Sequence, residues 1–146
     1  EYSYPAGYYD LVVSNLALHY LADLDDIYRK VFSTLRPGGV FLFNIEHPVF
    51  TAGVREDWVR DTEGRPVFWP VDNYYYPGER TTLFLGQEVK KQHHTLTQIL
   101  MGLIRCGFVL EAVEEAMPDP SMLDLPGMAD EMRRPMMLLV KARKPV

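Results

Sequence analysis

Ser14, His19 and Glu46 set a hydroxyl, an imidazole and a carboxyl group in the first third of the chain. That is the residue set of a nucleophilic hydrolase. The serine, however, stands in Val-Val-Ser-Asn-Leu and lacks the G-x-S-x-G turn that would present its oxygen. His47 and Pro48 follow Glu46 directly, so Glu-His-Pro reads as readily as a tight turn as a reactive corner. His93 and His94 suggest a metal, but adjacent residues of a strand point to opposite faces and cannot readily hold one ion. Cys106 is the single cysteine, which excludes an intrachain disulfide and a Cys-pair zinc site. Trp58, Trp69 and the Tyr74-Tyr75-Tyr76 run share a proline-rich middle segment, where aromatic surface can either cover a small ligand or only pack.

Elements must position these groups, and the composition bounds what the elements build. With 146 residues and 47% hydrophobic composition, the chain suits one globular domain with a real core. Fifteen basic against twenty acidic side chains give a net charge of −5, with the cations scattered, so nucleic acid is a poor partner. No apolar run reaches the roughly 18–20 residues of a membrane span, and the first twenty residues lack a signal-peptide pattern. A lone cysteine suits a reducing compartment, and the expected location is the cytoplasm.

Tyr9 to Ser14 is an aliphatic run of the kind buried on both faces of a parallel sheet, preceded by a turn-rich lead from Glu1. Asp23 caps a helix whose stripe is Leu24, Ile27, Tyr28, Val31, Phe32 and Leu35. Arg36-Pro37-Gly38-Gly39 ends it, and Val40 to Ile45 is a second buried strand, giving one crossover unit. Residues 47–94 change character and read as an inserted antiparallel flap: a turn at Thr62-Glu63-Gly64-Arg65 joins strands ending at Val59 and resuming at Val67, and Thr81 to Lys91 is a further strand. Thr95 and Gln98 form a capping box for a helix that Cys106-Gly107 ends. Phe108 to Glu115 is a third strand. A proline- and methionine-rich excursion follows, with a short helix near Met128 to Met132. Met136 to Val140 is the fourth, with Lys141, Arg143 and Lys144 as a solvated tail.

The runs Tyr9 to Tyr20, Leu35 to Gly39 and Phe41 to Pro48, taken in order with Trp69 to Tyr74 and Arg133 to Met137, resemble the class I S-adenosylmethionine-dependent methyltransferases of the methyltransferase-11 type. The resemblance implies an α/β, Rossmann-like sheet of which this chain would carry the fourth to seventh strands. The family's last strand runs antiparallel beside its fifth. The family's glycine-rich cofactor turn is not found, since none of the ten glycines makes a G-x-G spacing.

The resemblance further implies methyl transfer by direct attack of a small-molecule acceptor, helped by alignment and sometimes by a base. Ser14, Asn15 and Leu16 match positions bordering the methionine part of S-adenosylmethionine. Leu18, His19 and Tyr20 would face the methyl group or substrate, and Glu46 and His47 the substrate side. Catalytic roles are thus expected for His19, Glu46 and His47. Substrate contacts are expected for Leu18, Tyr20, Trp58, Trp69 and Tyr74, with no metal. The single domain, 1–146, would be truncated, would bind cofactor weakly alone, and would be inactive alone. The alternative is a non-catalytic binding module derived from a methyltransferase. The open edge of the Tyr9 to Ser14 strand would invite a homodimer.

Overall fold

The computed structural model describes residues 3–53 and 55–146. Glu1 and Tyr2 of the expected lead therefore lie outside the described residues. Strand β1 covers Tyr9–Asn15, and a one-turn 3₁₀ helix, Leu18–Tyr20, follows it. Helix α1, Leu24–Thr34, starts as expected, with the Asp23 carboxylate accepting from the Asp26 N–H at 2.9 Å. Strand β2, Leu35–Glu46, begins earlier than the sequence suggests. It takes in Arg36-Pro37-Gly38-Gly39 because Tyr9 pairs with Leu35, and because Gly38 and Gly39 exchange backbone hydrogen bonds with Lys144.

A short helix α2, Pro48–Thr51, leads into two hairpins. The first is β3, Val59–Arg60, with β4, Pro66–Phe68; the second is β5, Gly78–Phe84, with β6, Gln87–His93. The continuous strand expected over Thr81 to Lys91 is thus folded in two. Leu85 (φ 50°) and Gly86 (φ 78°) both adopt the left-handed region that a two-residue hairpin turn requires. Helix α3, Leu96–Cys106, carries the Thr95/Gln98 capping box and ends on Gly107 at φ 106°. Strand β7, Val109–Ala116, helix α4, Met128–Glu131, and strand β8, Met137–Arg143, complete the chain.

The main sheet runs β1-β2-β8-β7, with β1 and β2 parallel and β8 antiparallel to both neighbours. This is the mixed α/β sheet anticipated, with the last strand inserted beside the second. The flap hairpins form two separate two-stranded sheets. The core lies on one sheet face, where Phe41, Phe43 and Ile45 of β2 and Leu138, Val140 and Ala142 of β8 meet Tyr28 and Val31 of α1 and Ile99 and Leu103 of α3.

Two expectations fail here. The β1 strand is not buried on both faces: Leu11 and Val13 are 53% and 58% exposed, because both long helices pack on the opposite face and, among the described residues, no strand flanks β1 on its outer edge. Nor is the basic end a solvated tail. Lys141 and Arg143 belong to β8 and pair with Glu111 of β7. The Lys144 ammonium donates to the Phe32 and Leu35 carbonyls at 2.8 Å, satisfying the open end of α1.

Candidate active site at the carboxyl ends of the parallel strands

The carboxyl ends of β1 and β2 lie side by side because the strands pair in parallel as far as Asn15 and Asn44. The Asn44 amide donates to Asn15 Oδ1 at 3.2 Å, while Asn44 Oδ1 is buried and unpartnered among the described residues. Leu16 then turns the backbone at φ 53°. A branched side chain enters that region only at a cost of about 1 kcal/mol. Its N–H stays tied to the Asn44 carbonyl at 2.9 Å. Ser14 is half-buried, and Asn15 and Leu16 are exposed.

The next turn buries Leu18 and His19 and leaves Tyr20 half-exposed, its ring centroid 4.5 Å from that of His19. Leu18 is 2% exposed and belongs to the core cluster rather than to an open site. His19 Nδ1 accepts from the Glu46 backbone N–H at 3.4 Å, so its proton resides on Nε2. That nitrogen lies 3.9 Å from Glu46 Oε1, beyond hydrogen-bond reach. Burial, aided by the Lys91 ammonium, pushes the His19 pKa down to about 4, so the ring is neutral near pH 7.

Glu46 is the hub of the site. Its Oε1 accepts from the Lys91 ammonium at 2.6 Å, and Lys91 also donates to Glu56 Oε2 at 3.0 Å. Lys91 is buried, which opposes its charge. The hydrogen bonds that it donates to Glu46 and Glu56 nevertheless hold its pKa above the ordinary lysine value. Glu46 Oε2 and Glu56 Oε1 are buried without partners among the described residues. A buried carboxyl oxygen of this kind can accept a hydrogen bond or a proton from a ligand.

His47 serves a structural purpose. Its Nδ1 accepts from the Val49 N–H at 3.0 Å, capping α2, and its Nε2 lies 2.8 Å from Glu115 Oε1 of β7. Nδ1 is thereby engaged, while Nε2 is close to Glu115 without hydrogen-bond geometry and is buried unpartnered among the described residues; burial holds the ring's pKa below the ordinary value. His93 donates from Nε2 to the Tyr74 carbonyl at 2.8 Å and accepts from Thr51 Oγ1 at 2.7 Å; His94 donates to the Leu21 carbonyl at 2.8 Å. Among the described residues, no group of three or more His, Cys, Asp or Glu is placed to hold a metal ion.

The aromatic residues expected on the substrate part into two groups. Trp58, Trp69 and Phe50 enclose the Arg134 guanidinium, whose centre is 4.5 Å from the Trp69 ring and 5.4 Å from that of Trp58. Glu131 binds the same guanidinium at 2.6 and 3.0 Å. Tyr74 instead packs edge-on against His93, with its hydroxyl accepting from the Leu96 N–H at 3.1 Å at the start of α3. Tyr75 and Tyr76 are exposed.

Sequence reasoning missed Lys91, Glu56 and Arg134. Lys91 carried a signal: two residues before His93 on one strand, it shares that face. Arg134 stood within the Arg133 to Met137 run of the family resemblance, but no role was assigned to it.

The sequence model of the family described as "Methyltransferase domain" matches residues 1–43. No curated protein matches the chain. Among solved structures, one described as an S-adenosylmethionine-dependent methyltransferase from Listeria monocytogenes is 46% identical, with a TM-score of 0.94 over 100% of this chain and 66% of its own. A second, from Mesorhizobium loti, is 44% identical with a TM-score of 0.86, over 96% of this chain and 64% of its own. A third, from Methanosarcina mazei, shares the fold at 15% identity and a TM-score of 0.55, over 100% of this chain and 64% of its own. The chain thus spans just under two-thirds of the length of these proteins. The resemblance to class I S-adenosylmethionine-dependent methyltransferases holds in sequence and in fold, and S-adenosylmethionine is the cofactor that goes with it.

Proposed function

We propose, with the methyltransferase resemblance as premise, that this chain is the carboxyl-terminal portion of an enzyme that methylates a small molecule in the cytoplasm. Residues 1–146 would form one domain with 47–94 as its flap. The observation that carries the reading is Glu46: its Oε2, unpartnered among the described residues, lies at the end of β2, beside His19 and one strand from Ser14–Leu16. In open α/β sheets, ligands bind beyond the carboxyl ends of the strands, where strand order reverses.

When bound, S-adenosylmethionine supplies an electrophilic methyl group. Ser14, Asn15 and Leu16 would border its methionine part. The open Asn44 Oδ1 and the turned backbone at Leu16 suit a polar ligand there. With no G-x-G turn among the 146 residues, the groups present fit only that side of the cofactor, and the isolated chain binds it weakly and turns over poorly.

On the acceptor side, Glu46 Oε2 takes the proton of the attacking group. His19, neutral with its hydrogen on Nε2, orients that group as a donor, and Tyr20 flanks it. His47 fixes the corner through α2 and Glu115. The open edge and exposed Leu11 and Val13 of β1 favour pairing with a second copy; a stable monomer by light scattering at high concentration argues against it.

Nuclear magnetic resonance with millimolar S-adenosylhomocysteine tests the site. Weak, saturable shifts at the amides of Ser14, Asn15, Leu16 and His19 support the reading. Shifts confined to other parts of the chain, or none at all, overturn it.

A further inference from the structure

Glu46 and Glu56 bring two carboxylates to one ammonium. Lys91 Nζ lies 2.6 Å from Glu46 Oε1 and 3.0 Å from Glu56 Oε2. Among the described residues no other lysine or arginine stands within ion-pair distance of either carboxylate, and His19 is neutral near pH 7. The neighbouring acids are matched by cations of their own: Asp57 by Arg60, Asp130 by Arg133 and Glu131 by Arg134. The buried cluster of Glu46, Glu56 and Lys91 therefore keeps one negative charge in excess. A buried charge without a partner is costly, so the cluster calls for a second cation.

The remaining polar atoms point to the same chemistry. Glu46 Oε2 and Glu56 Oε1, the other oxygens of the two carboxylates, are buried without partners among the described residues. Both accept and neither donates, so the group they lack is a donor, and a cation with several N–H donors is an ammonium. Phe84 adds an aromatic surface. In the second flap hairpin Arg80 lies opposite Lys91, Thr82 opposite Val89 and Phe84 opposite Gln87, which puts Phe84 on the same face as Lys91. Thr82, Lys91 and His93 of that face are buried, whereas Phe84 is 54% exposed, with its ring centroid 5.8 Å from Lys91 Nζ. Phe84 thus overhangs the cluster from the hairpin tip, and the face of an aromatic ring attracts a cation.

We infer that this cluster binds a small primary amine as its ammonium ion, with an N–H given to Glu46 Oε2, its charge balanced by the carboxylate that Glu56 adds, and its apolar body against Phe84. Among the described residues the hairpin pairs with no strand of the main sheet, so its tip can lift to admit the ligand. That the amine is the methyl acceptor rests on the function proposed above; that it binds does not. In that function Glu46 Oε2 takes one ammonium proton, and the electron pair of that N–H bond stays on nitrogen.

The test titrates the whole chain, labelled with ¹⁵N, at pH 7 with benzylamine, benzyl alcohol and benzoate, which share a ring and differ in charge. Saturable shifts at the amides of Glu46, Glu56, Phe84 and Lys91 are expected with benzylamine. Benzyl alcohol is expected to bind about tenfold more weakly, and benzoate not at all. Glu56→Gln leaves one carboxylate to one ammonium and is expected to bring benzylamine down to the level of the alcohol. Phe84→Ala, at the exposed tip, is expected to weaken benzylamine about two- to fivefold. Benzylamine no tighter than benzyl alcohol, benzoate binding at the same amides, or unchanged benzylamine affinity in either variant would overturn the inference. If Glu56→Gln fails to fold, the three probes and Phe84→Ala decide. No methyl donor is present, so failure of cofactor binding leaves this result untouched.

Discussion

The Lys91 ammonium stands 2.6 Å from Glu46 Oε1, and this contact ties the second flap hairpin to the carboxyl end of the second sheet strand. A buried cation between carboxyl groups is weak evidence of net stabilisation, but removing it alone is costly. Lys91→Met is therefore expected to destabilise the fold by about 3–5 kcal/mol in urea unfolding, because Glu46 and Glu56 stay buried without their cation. Adding Glu46→Gln to Lys91→Met is expected to restore part of that loss. A double mutant no better than the single one would show that the two side chains are not energetically coupled.

Acid should unfold the protein earlier than its carboxylates alone would predict. All four histidines, His19, His47, His93 and His94, are buried, and burial lowers the pKa of each. A depressed folded pKa means that the unfolded chain binds more protons, so stability is full above about pH 6.5 and falls as pH drops. For His19 the loss runs from about pH 6.5 to 4 and reaches about 3 kcal/mol. Urea midpoints measured from pH 7.5 to 4.5 should fall throughout, and less steeply in His19→Gln. A flat profile would mean that the rings are solvated.

Arg134 acts as a latch between the flap and the lead-in to β8. Removing it empties the space between Trp69, Trp58 and Phe50 and frees Glu131. Arg134→Ala is expected to cost about 2–4 kcal/mol and to speed amide hydrogen exchange in 55–71 more than in β2 or β8. Uniform acceleration would show instead that the latch belongs to the global fold.

Leu16 holds a left-handed backbone at the end of β1 and is 41% exposed. Leu16→Asn, suited to that conformation, is expected to raise stability by about 0.5–1 kcal/mol in thermal unfolding. A loss of stability would mean that the leucine packs more than its exposure indicates.

The sheet and its helices were legible because their signals are local. The Asp23 and Thr95 caps, the stripe from Leu24 to Leu35 and the Gly107 terminus each act within a turn or two of chain. The Leu85-Gly86 reversal lay hidden inside an alternating run, since a leucine at positive φ is not a turn signal. The reach of Lys144 back to Phe32 and Leu35 was invisible because it depends on tertiary approach.

At the site, Ser14 to Leu16, His19 and Glu46 could be singled out by their place at strand ends. The partners that decide their chemistry could not. Lys91 and Glu56 arrive from the flap, and the aromatic residues that looked like a substrate cover proved to surround Arg134, which lies far beyond Trp69 in sequence. His47, between Glu46 and Pro48, looked reactive for the same reason that it caps a helix: its nitrogen can accept from a nearby N–H.

In the function proposed above, this chain carries only part of a cofactor site. Calorimetric titration of S-adenosylhomocysteine into the 146-residue chain, and into the product of the complete reading frame that encodes it, tests this directly. No micromolar binding by the chain is expected, and micromolar binding by the complete product. Micromolar binding by the chain itself, or none by the complete product, would contradict the partial site.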